Sequence, residues 1–204
     1  MKLKKILTVA LGACLLLSLT ACGEKQGEAQ QEVEAMAFDG PVNVVMEVQD
    51  YGEIRLELDP EAAPKTVTNF VQLVEEGFYD GLTFHRIMDG FMIQGGDPKG
   101  NGTGGSDQTV TGEFSSNGWE KNDISHVRGV ISMARAQNPD SASSQFFIVH
   151  QDSTFLDGDY AAFGQVTSGM EVVDAICEAA EPVDGNGSID PAAQPVINSI
   201  TVLE

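Results

Sequence analysis

The fold class this sequence predicts is mainly β, an antiparallel barrel or sandwich, with two covering helices. Three observations predict it. Many short apolar stretches are broken by glycine, only two segments carry apolar residues at helical spacing, and the order is strands, helix, strands, helix, strand rather than a βαβ series. No internal repeat, heptad or second hydrophobic core is expected.

The chain begins with an address. Met1 to Lys5 carry three lysines, and Ile6 to Leu19 follow as an apolar run, short of the about 20 residues a membrane-spanning helix needs. The run ends in Leu19-Thr20-Ala21-Cys22, which resembles the lipobox of bacterial lipoproteins. Residues 1–21 are therefore expected to be a cleaved signal, with Cys22 lipidated and the protein anchored in the bacterial cell envelope. Two or three acyl chains would hold it there without a basic patch. Residues 22–40 are rich in Gln, Glu, Ala and Gly and read as an acidic, solvated tether, leaving 41–204 as the folded domain.

Within that domain Val42 to Val48 and Ile54 to Leu58 flank Asp50-Tyr51-Gly52 and form a hairpin with one buried face. Pro64 opens a helix carrying Val67, Phe70, Val71 and Val74, stopped by Gly77. Short strands follow at Thr83 to Ile87, Phe91 to Gln94, Val130 to Ala134, Gln145 to Val149 and Ala161 to Val166. A second helix starts at Ser168, with Glu171 completing a capping box, and Val196 to Leu203 is a closing strand.

Composition excludes several function classes. The 204 residues hold 11 Lys plus Arg against 31 Asp plus Glu, a net charge of −20 that repels nucleic acid and anionic lipid. Signal cleavage deepens it by the three lysines lost. Of Cys14, Cys22 and Cys177, only Cys177 remains as a free thiol after processing, so no intrachain disulfide is available. Gly100 to Gly105 satisfies G-x-G-x-x-G, but the polar segment after it cannot open the helix that a dinucleotide loop requires, so a tight surface turn is expected. Asp184, Asn186, Ser188 and Asp190 alternate like a calcium loop but lack its glycine and closing glutamate, which leaves calcium at 184–190 open beside a plain acidic loop. His85, His126 and His150 are too scattered for a zinc site, and no G-x-S-x-G elbow is present.

What remains is an arginine, aromatics and amides on neighbouring short strands. Arg86, Phe91, Gln94, Gln145 and Phe147 could share one face, making an apolar hollow with a few fixed donors. The plainer reading of Arg86 is a surface salt bridge to one of the many acids.

Five blocks sharpen this picture: Phe84-His85-Arg86-Ile87, Gly90 to Asp97, Gly102 to Gly105, Ser144 to Ile148 and Phe155-Leu156-Asp157-Gly158. In order and spacing they resemble the signature blocks of the cyclophilin-type peptidyl-prolyl isomerases, over about residues 42–204. The resemblance implies a closed eight-stranded antiparallel barrel capped by two helices, and isomerisation of X-Pro bonds without metal or cofactor. It implies that Arg86 is catalytic and that Gln94 orients it. Phe91, Met92, Phe147 and Leu156 would form the proline pocket, with Ala134, Arg135, Gln145, Phe155 and Tyr160 as further substrate contacts. Arg135 stands where asparagine is usual, Phe155 where tryptophan is usual and Tyr160 where histidine is usual. Phe155 lacks an indole N–H, which argues against tight cyclosporin binding. Proline-containing polypeptides are the expected partners of a monomer that assists folding of exported proteins. A proline-segment binding module or chaperone is the alternative.

Overall fold

The computed structural model describes residues 33–203. The signal reading, the lipidation reading of Cys22 and the first part of the tether lie outside the described residues.

Eight strands form one sheet in the order β3-β4-β6-β5-β7-β2-β1-β8, every ladder antiparallel. The hairpin of β1 (Val42–Val48) and β2 (Gly52–Leu58) forms as expected. Val44, Met46 and Val48 and, opposite, Ile54, Leu56 and Leu58 turn into the core, because side chains two apart share a face of a strand. The other strands are β3 (Arg86–Met88), β4 (Met92–Gly95), β5 (Val130–Met133), β6 (Phe146–Val149), β7 (Ala162–Ser168) and β8 (Ile197–Val202).

The expected closed barrel is corrected to an open half-barrel. β3 and β8 are the two ends of the sheet, and no ladder joins them. They approach through the isolated bridge between Thr83 and Val196 and through Phe84 N–H to Pro195 O (3.0 Å) and Ile197 N–H to Leu82 O (2.8 Å). β3 is only three residues long, so its edge has too few groups to carry a ladder, and residues 81–84 span the gap as irregular chain.

Helix α1 (Pro64–Glu75) puts Phe70 into the aromatic centre of the core, 5.1 Å from Tyr79, 5.3 Å from Phe163 and 5.7 Å from Phe146 between ring centroids. Its first-turn amides are served from far along the chain. The buried Glu113 carboxylate accepts from Lys65 N–H (2.9 Å) and Thr66 N–H (2.8 Å), placing an anion at the positive end of the helix.

Helix α2 (Met170–Ala179) corrects the capping box expected from Ser168. Ser168 is used by β7, where it pairs with Arg55, and the N-cap is Gly169 at φ +94°, with no side-chain cap. Here glycine is required, because a Cβ would collide with the Glu53 carbonyl.

Two more expectations change. The end of the tether is docked: Val33 is buried, Met36 N–H bonds the Thr68 hydroxyl (2.8 Å) and Phe38 packs on the core. Met36 meets α1 twice, at Thr68 and through its sulfur, which accepts from Gln72 Nε2 (3.7 Å). A second, smaller apolar cluster also exists, holding Met92, Val130, Phe147, Val149, Leu156 and Ala162 on the outer face of the sheet.

Candidate functional site

The outer cluster follows from strand register. Arg86 lies opposite Gln94, Gln94 opposite Phe147, and Phe147 opposite Ser132, so one row of directly paired residues crosses β3, β4, β6 and β5 on a single face. The next row, Ile87, Ile93, Ile148 and Ile131, points the other way into the core. Alternation within two- and three-residue stretches thus separates a polar-apolar groove from a wholly apolar interior.

Arg86 is held on several sides. Its Nη1 donates to Gln94 Oε1 (3.1 Å) and its Nε to the Asn186 carbonyl (2.6 Å), while the guanidinium carbon stands 5.8 Å from the Phe91 ring centroid. Gln94 Nε2 donates onward to Gln145 Oε1 (2.9 Å), and Gln145 Nε2 to the Gly104 carbonyl (2.7 Å). This relay fixes both amides with their carbonyl ends toward Arg86. Burial pulls the Arg86 pKa below its ordinary value, with Tyr160 and Asp184 opposing; arginine starts so high that it stays cationic. The surface salt-bridge reading is not what forms, since Arg86 is half-buried and its described hydrogen bonds go to an amide, a carbonyl and sulfur atoms.

Over the row lies a cavity of about 140 Å³ lined by Arg86, Phe91, Met92, Gln94, Ala134, Arg135, Phe147, Leu156 and Tyr160. Gln145 lines a neighbouring polar cavity of about 250 Å³. Phe155 stands at the rim, 73% exposed, with its ring 5.7 Å from Phe91. All the expected site residues of the folded domain therefore meet at one groove. Size alone would mislead: a cavity of about 380 Å³ lined by Glu57, Asp59 and Glu61 is larger but has no arginine and no aromatic ring. The groove offers an apolar slot for a small ring, closed on one side by a cation whose donors are already aimed. That suits a neutral amide more than an anion-transfer reaction.

The cyclophilin type peptidyl-prolyl cis-trans isomerase family model matches residues 43–202, which contain the whole groove. The chain belongs to this cyclophilin family. It is an isomerase acting on X-Pro peptide bonds. It is 51% identical over 124 residues to peptidyl-prolyl cis-trans isomerase B of Bacillus subtilis, covering 61% of this chain and 82% of the relative. To the "Probable peptidyl-prolyl cis-trans isomerase" of Brucella suis it is 44% identical over 163 residues, covering 74% and 79%. The structure of a Cryptosporidium parvum cyclophilin type isomerase, determined in the presence of the dipeptide Ala-Pro, superposes with a TM-score of 0.69 at 30% identity, covering 79% of this chain and 99% of that one.

The cyclophilin groove has supports that sequence reasoning missed. His126, weighed only as a zinc ligand, is buried behind the slot and stacks on Phe147 (6.0 Å, 17°). Its Nδ1 lies 2.9 Å from Asp157 Oδ1 and its Nε2 3.0 Å from Ser132 Oγ. An ionised carboxylate only accepts, so Nδ1 carries the proton and Nε2 accepts from Ser132. Burial pushes the His126 pKa down against the pull of Asp157, and partial desolvation of Asp157 is outweighed by the Ser125 and His126 donors, which hold it below the ordinary carboxylate range. Asp157 also accepts from His126 N–H (2.7 Å) and Ser125 O–H (2.6 Å), tying down the turn that carries Phe155 and Leu156. The Phe155-Leu156-Asp157-Gly158 block was the only available signal for it.

The 184–190 loop has a local use. Asp184 Oδ1 accepts from Asn186 N–H (2.9 Å) and Ser188 N–H (3.1 Å), and the loop bridges to Arg86 at Ser188, which presents the Asn186 carbonyl to the guanidinium. The glycine-rich loop likewise wraps an internal anion. Buried Asp97 accepts from Lys99 N–H (2.8 Å), Asn101 N–H (3.0 Å) and Gly102 N–H (2.6 Å). A Cβ at Gly104 would strike that carboxylate. Burial raises the Asp97 pKa, and these amides more than reverse it.

Proposed function

We propose that this isomerase works outside the cytoplasm, held at the bacterial envelope by lipid on Cys22, and turns X-Pro bonds of exported polypeptides with Arg86 as the catalytic group. The observation carrying the catalytic part is the Arg86-Gln94-Gln145 relay beside an apolar slot of about 140 Å³. The lysines before Ile6 and the Leu19-Thr20-Ala21-Cys22 sequence support the location.

The chemistry asks little of the protein. Amide resonance sets a rotational barrier of about 18–20 kcal/mol, and uncatalysed X-Pro exchange takes tens to hundreds of seconds. As the bond twists, the prolyl nitrogen leaves resonance and gains a lone pair. A guanidinium N–H aimed at that lone pair is matched to the twisted state and not to either planar one. Phe91, Met92, Phe147 and Leu156 hold the ring while the acyl side turns. A thousandfold acceleration needs only about 4 kcal/mol, within reach of one preorganised charged donor in a water-poor slot.

Arg86→Ala is expected to lower kcat/KM on a proline tetrapeptide by at least about tenfold, with the circular dichroism spectrum unchanged. Exchange spectroscopy reads it, and unchanged turnover would remove Arg86 from the mechanism. Retained peptide affinity with no acceleration by the wild-type chain would favour the binding-module reading. For the location, cells labelled with radioactive palmitate should yield a labelled, membrane-bound protein; Cys22→Ala should abolish the label, and a wild-type chain that takes none would overturn the anchor.

A further inference from the structure

We infer that Arg135 makes the groove select for polypeptides carrying an acidic side chain beside the proline, on the same reading that places catalysis at Arg86. Three observations converge on this residue.

Arg135 is fixed but not neutralised. Its Nε and Nη2 both donate to the Asp159 carbonyl (3.0 and 2.8 Å), and Nη1 donates to the Ala136 carbonyl (2.9 Å). The guanidinium carbon lies 4.7 Å from the Tyr160 ring centroid and 5.2 Å from that of Phe114. Every hydrogen-bond partner is a carbonyl oxygen, and among the described residues Arg135 forms no ion pair. Arg55 and Arg128, away from the groove, are paired at 2.6 Å with Glu53 and at 2.7 Å with Asp174. In a chain with 31 acids against 11 basic residues, the two arginines outside the groove are paired with carboxylates while the two that line it, Arg86 and Arg135, are held by other groups.

Its position joins two cavities. Arg135, Gln94 and Ala134 line both the apolar slot and the neighbouring polar cavity of about 250 Å³, whose other walls include Thr103, Ser141 and Gln145. A side chain next to a slotted proline enters that second space, past the guanidinium.

The charge is also local to the groove. No carboxylate lines either of these cavities, whereas three others are lined by Glu57, Asp59 and Glu61, by Glu76 and Asp107, and by Asp59, Glu61 and Asp123. Against an otherwise acidic molecule, a client with a carboxylate near its proline finds complementary charge at the groove, where Arg135 but not Arg86 also lines the neighbouring polar cavity. A client with lysine there meets like charge, and the mismatch falls at the step that seats the proline.

The test uses the full chain and two tetrapeptide series, Ala-Xaa-Pro-Phe and Xaa-Ala-Pro-Phe, with Xaa as Glu, Gln or Lys, followed by exchange spectroscopy. In at least one series the wild-type kcat/KM for Glu over Lys should be about tenfold, the factor of one charge-assisted contact near a surface. Arg135→Gln should bring that ratio below about threefold, and Arg135→Lys should keep most of it. A wild-type ratio under about twofold in both series overturns the proposal. So does a ratio that survives Arg135→Gln, or an Arg135→Lys variant behaving like the glutamine one. Were Arg135→Gln not to fold, the wild-type protein still decides, because the ratio must shrink between about 10 mM and 500 mM salt and a salt-independent ratio overturns the inference. Failure of the catalytic reading looks different: Arg86→Ala would then leave turnover of all the peptides untouched.

Discussion

Phe146 and Phe147 are neighbours in one strand, yet they serve two regions of the molecule that share almost nothing. Phe146 enters the core and meets Phe70, Tyr79 and Phe84 at 5.6–6.2 Å between centroids. Phe147 enters the groove and meets His126 and Tyr160 at 6.0 Å, with Arg86 and Gln94 along the same row. Both are almost fully buried, so burial does not distinguish them. The inner face is apolar and interlocked, whereas the outer one joins apolar walls to a cation, two amides and a histidine. The sheet that fills the core therefore also fixes the spacing of the site, and β3, β4, β5 and β6 contribute to both.

The largest expected effect breaks this pair apart. Phe146→Ala should cost about 3–5 kcal/mol of stability by opening a cavity among rings that cannot collapse. Phe147→Ala should cost less, about 2 kcal/mol, because its cluster is smaller and opens to solvent. The activities should reverse that order: at a temperature where both variants are folded, kcat/KM should fall at least about tenfold for Phe147→Ala and within about threefold for Phe146→Ala. Denaturant unfolding and exchange spectroscopy on the same samples separate the two. Equal losses in both measurements would mean that the faces are not independent.

Acid should reveal the same asymmetry, since four groups with shifted pKa values, His126, His85, Asp157 and Asp97, lie behind the groove and in its adjoining loops. His126 and His85 both have pKa values lowered first by burial, so the folded state favours their neutral forms while the unfolded chain takes up protons at the ordinary position. Their contribution is complete above about pH 6.5 and is lost as pH falls through the lower folded values. Asp157 and Asp97 have lowered pKa values, so their contribution is present above about pH 4 and is lost as pH falls further. Thermal melts should decline in these two steps. In His126→Asn the first step should shrink, and an unchanged first step would place it elsewhere.

How much of this was legible in the sequence follows interaction range. The hairpin and the Arg86-Gln94-Phe147 face are visible because alternation is local, and the recognisable blocks bring them into one groove. Glu113 capping a helix that starts at Pro64 is not visible, nor is Asn186 holding Arg86, because neither pair has any local pattern linking its members. The start of α2 was missed for a local reason. Ser168 has the right residue type for a cap, but strand pairing with Arg55 claims it first. Closure of the barrel failed on strand length, which apolar content does not report, since Thr83 to Ile87 is apolar enough to read as strand while only Arg86–Met88 pairs as one.

The smallest expected effect tests whether the groove's charge is local at all. Arg55 lies outside it and pairs with Glu53 on the exposed face of β2, the two side chains 46% and 55% accessible. Arg55→Gln removes the same formal charge as Arg135→Gln but no groove contact. Stability should move by no more than about 0.5 kcal/mol, as for most exposed pairs, and the preference for Glu over Lys peptides should stay at its wild-type value. If that preference fell as far as with Arg135→Gln, it would belong to the net charge of the molecule. A fall with Arg135→Gln alone ties it to the guanidinium set between Tyr160 and Phe114.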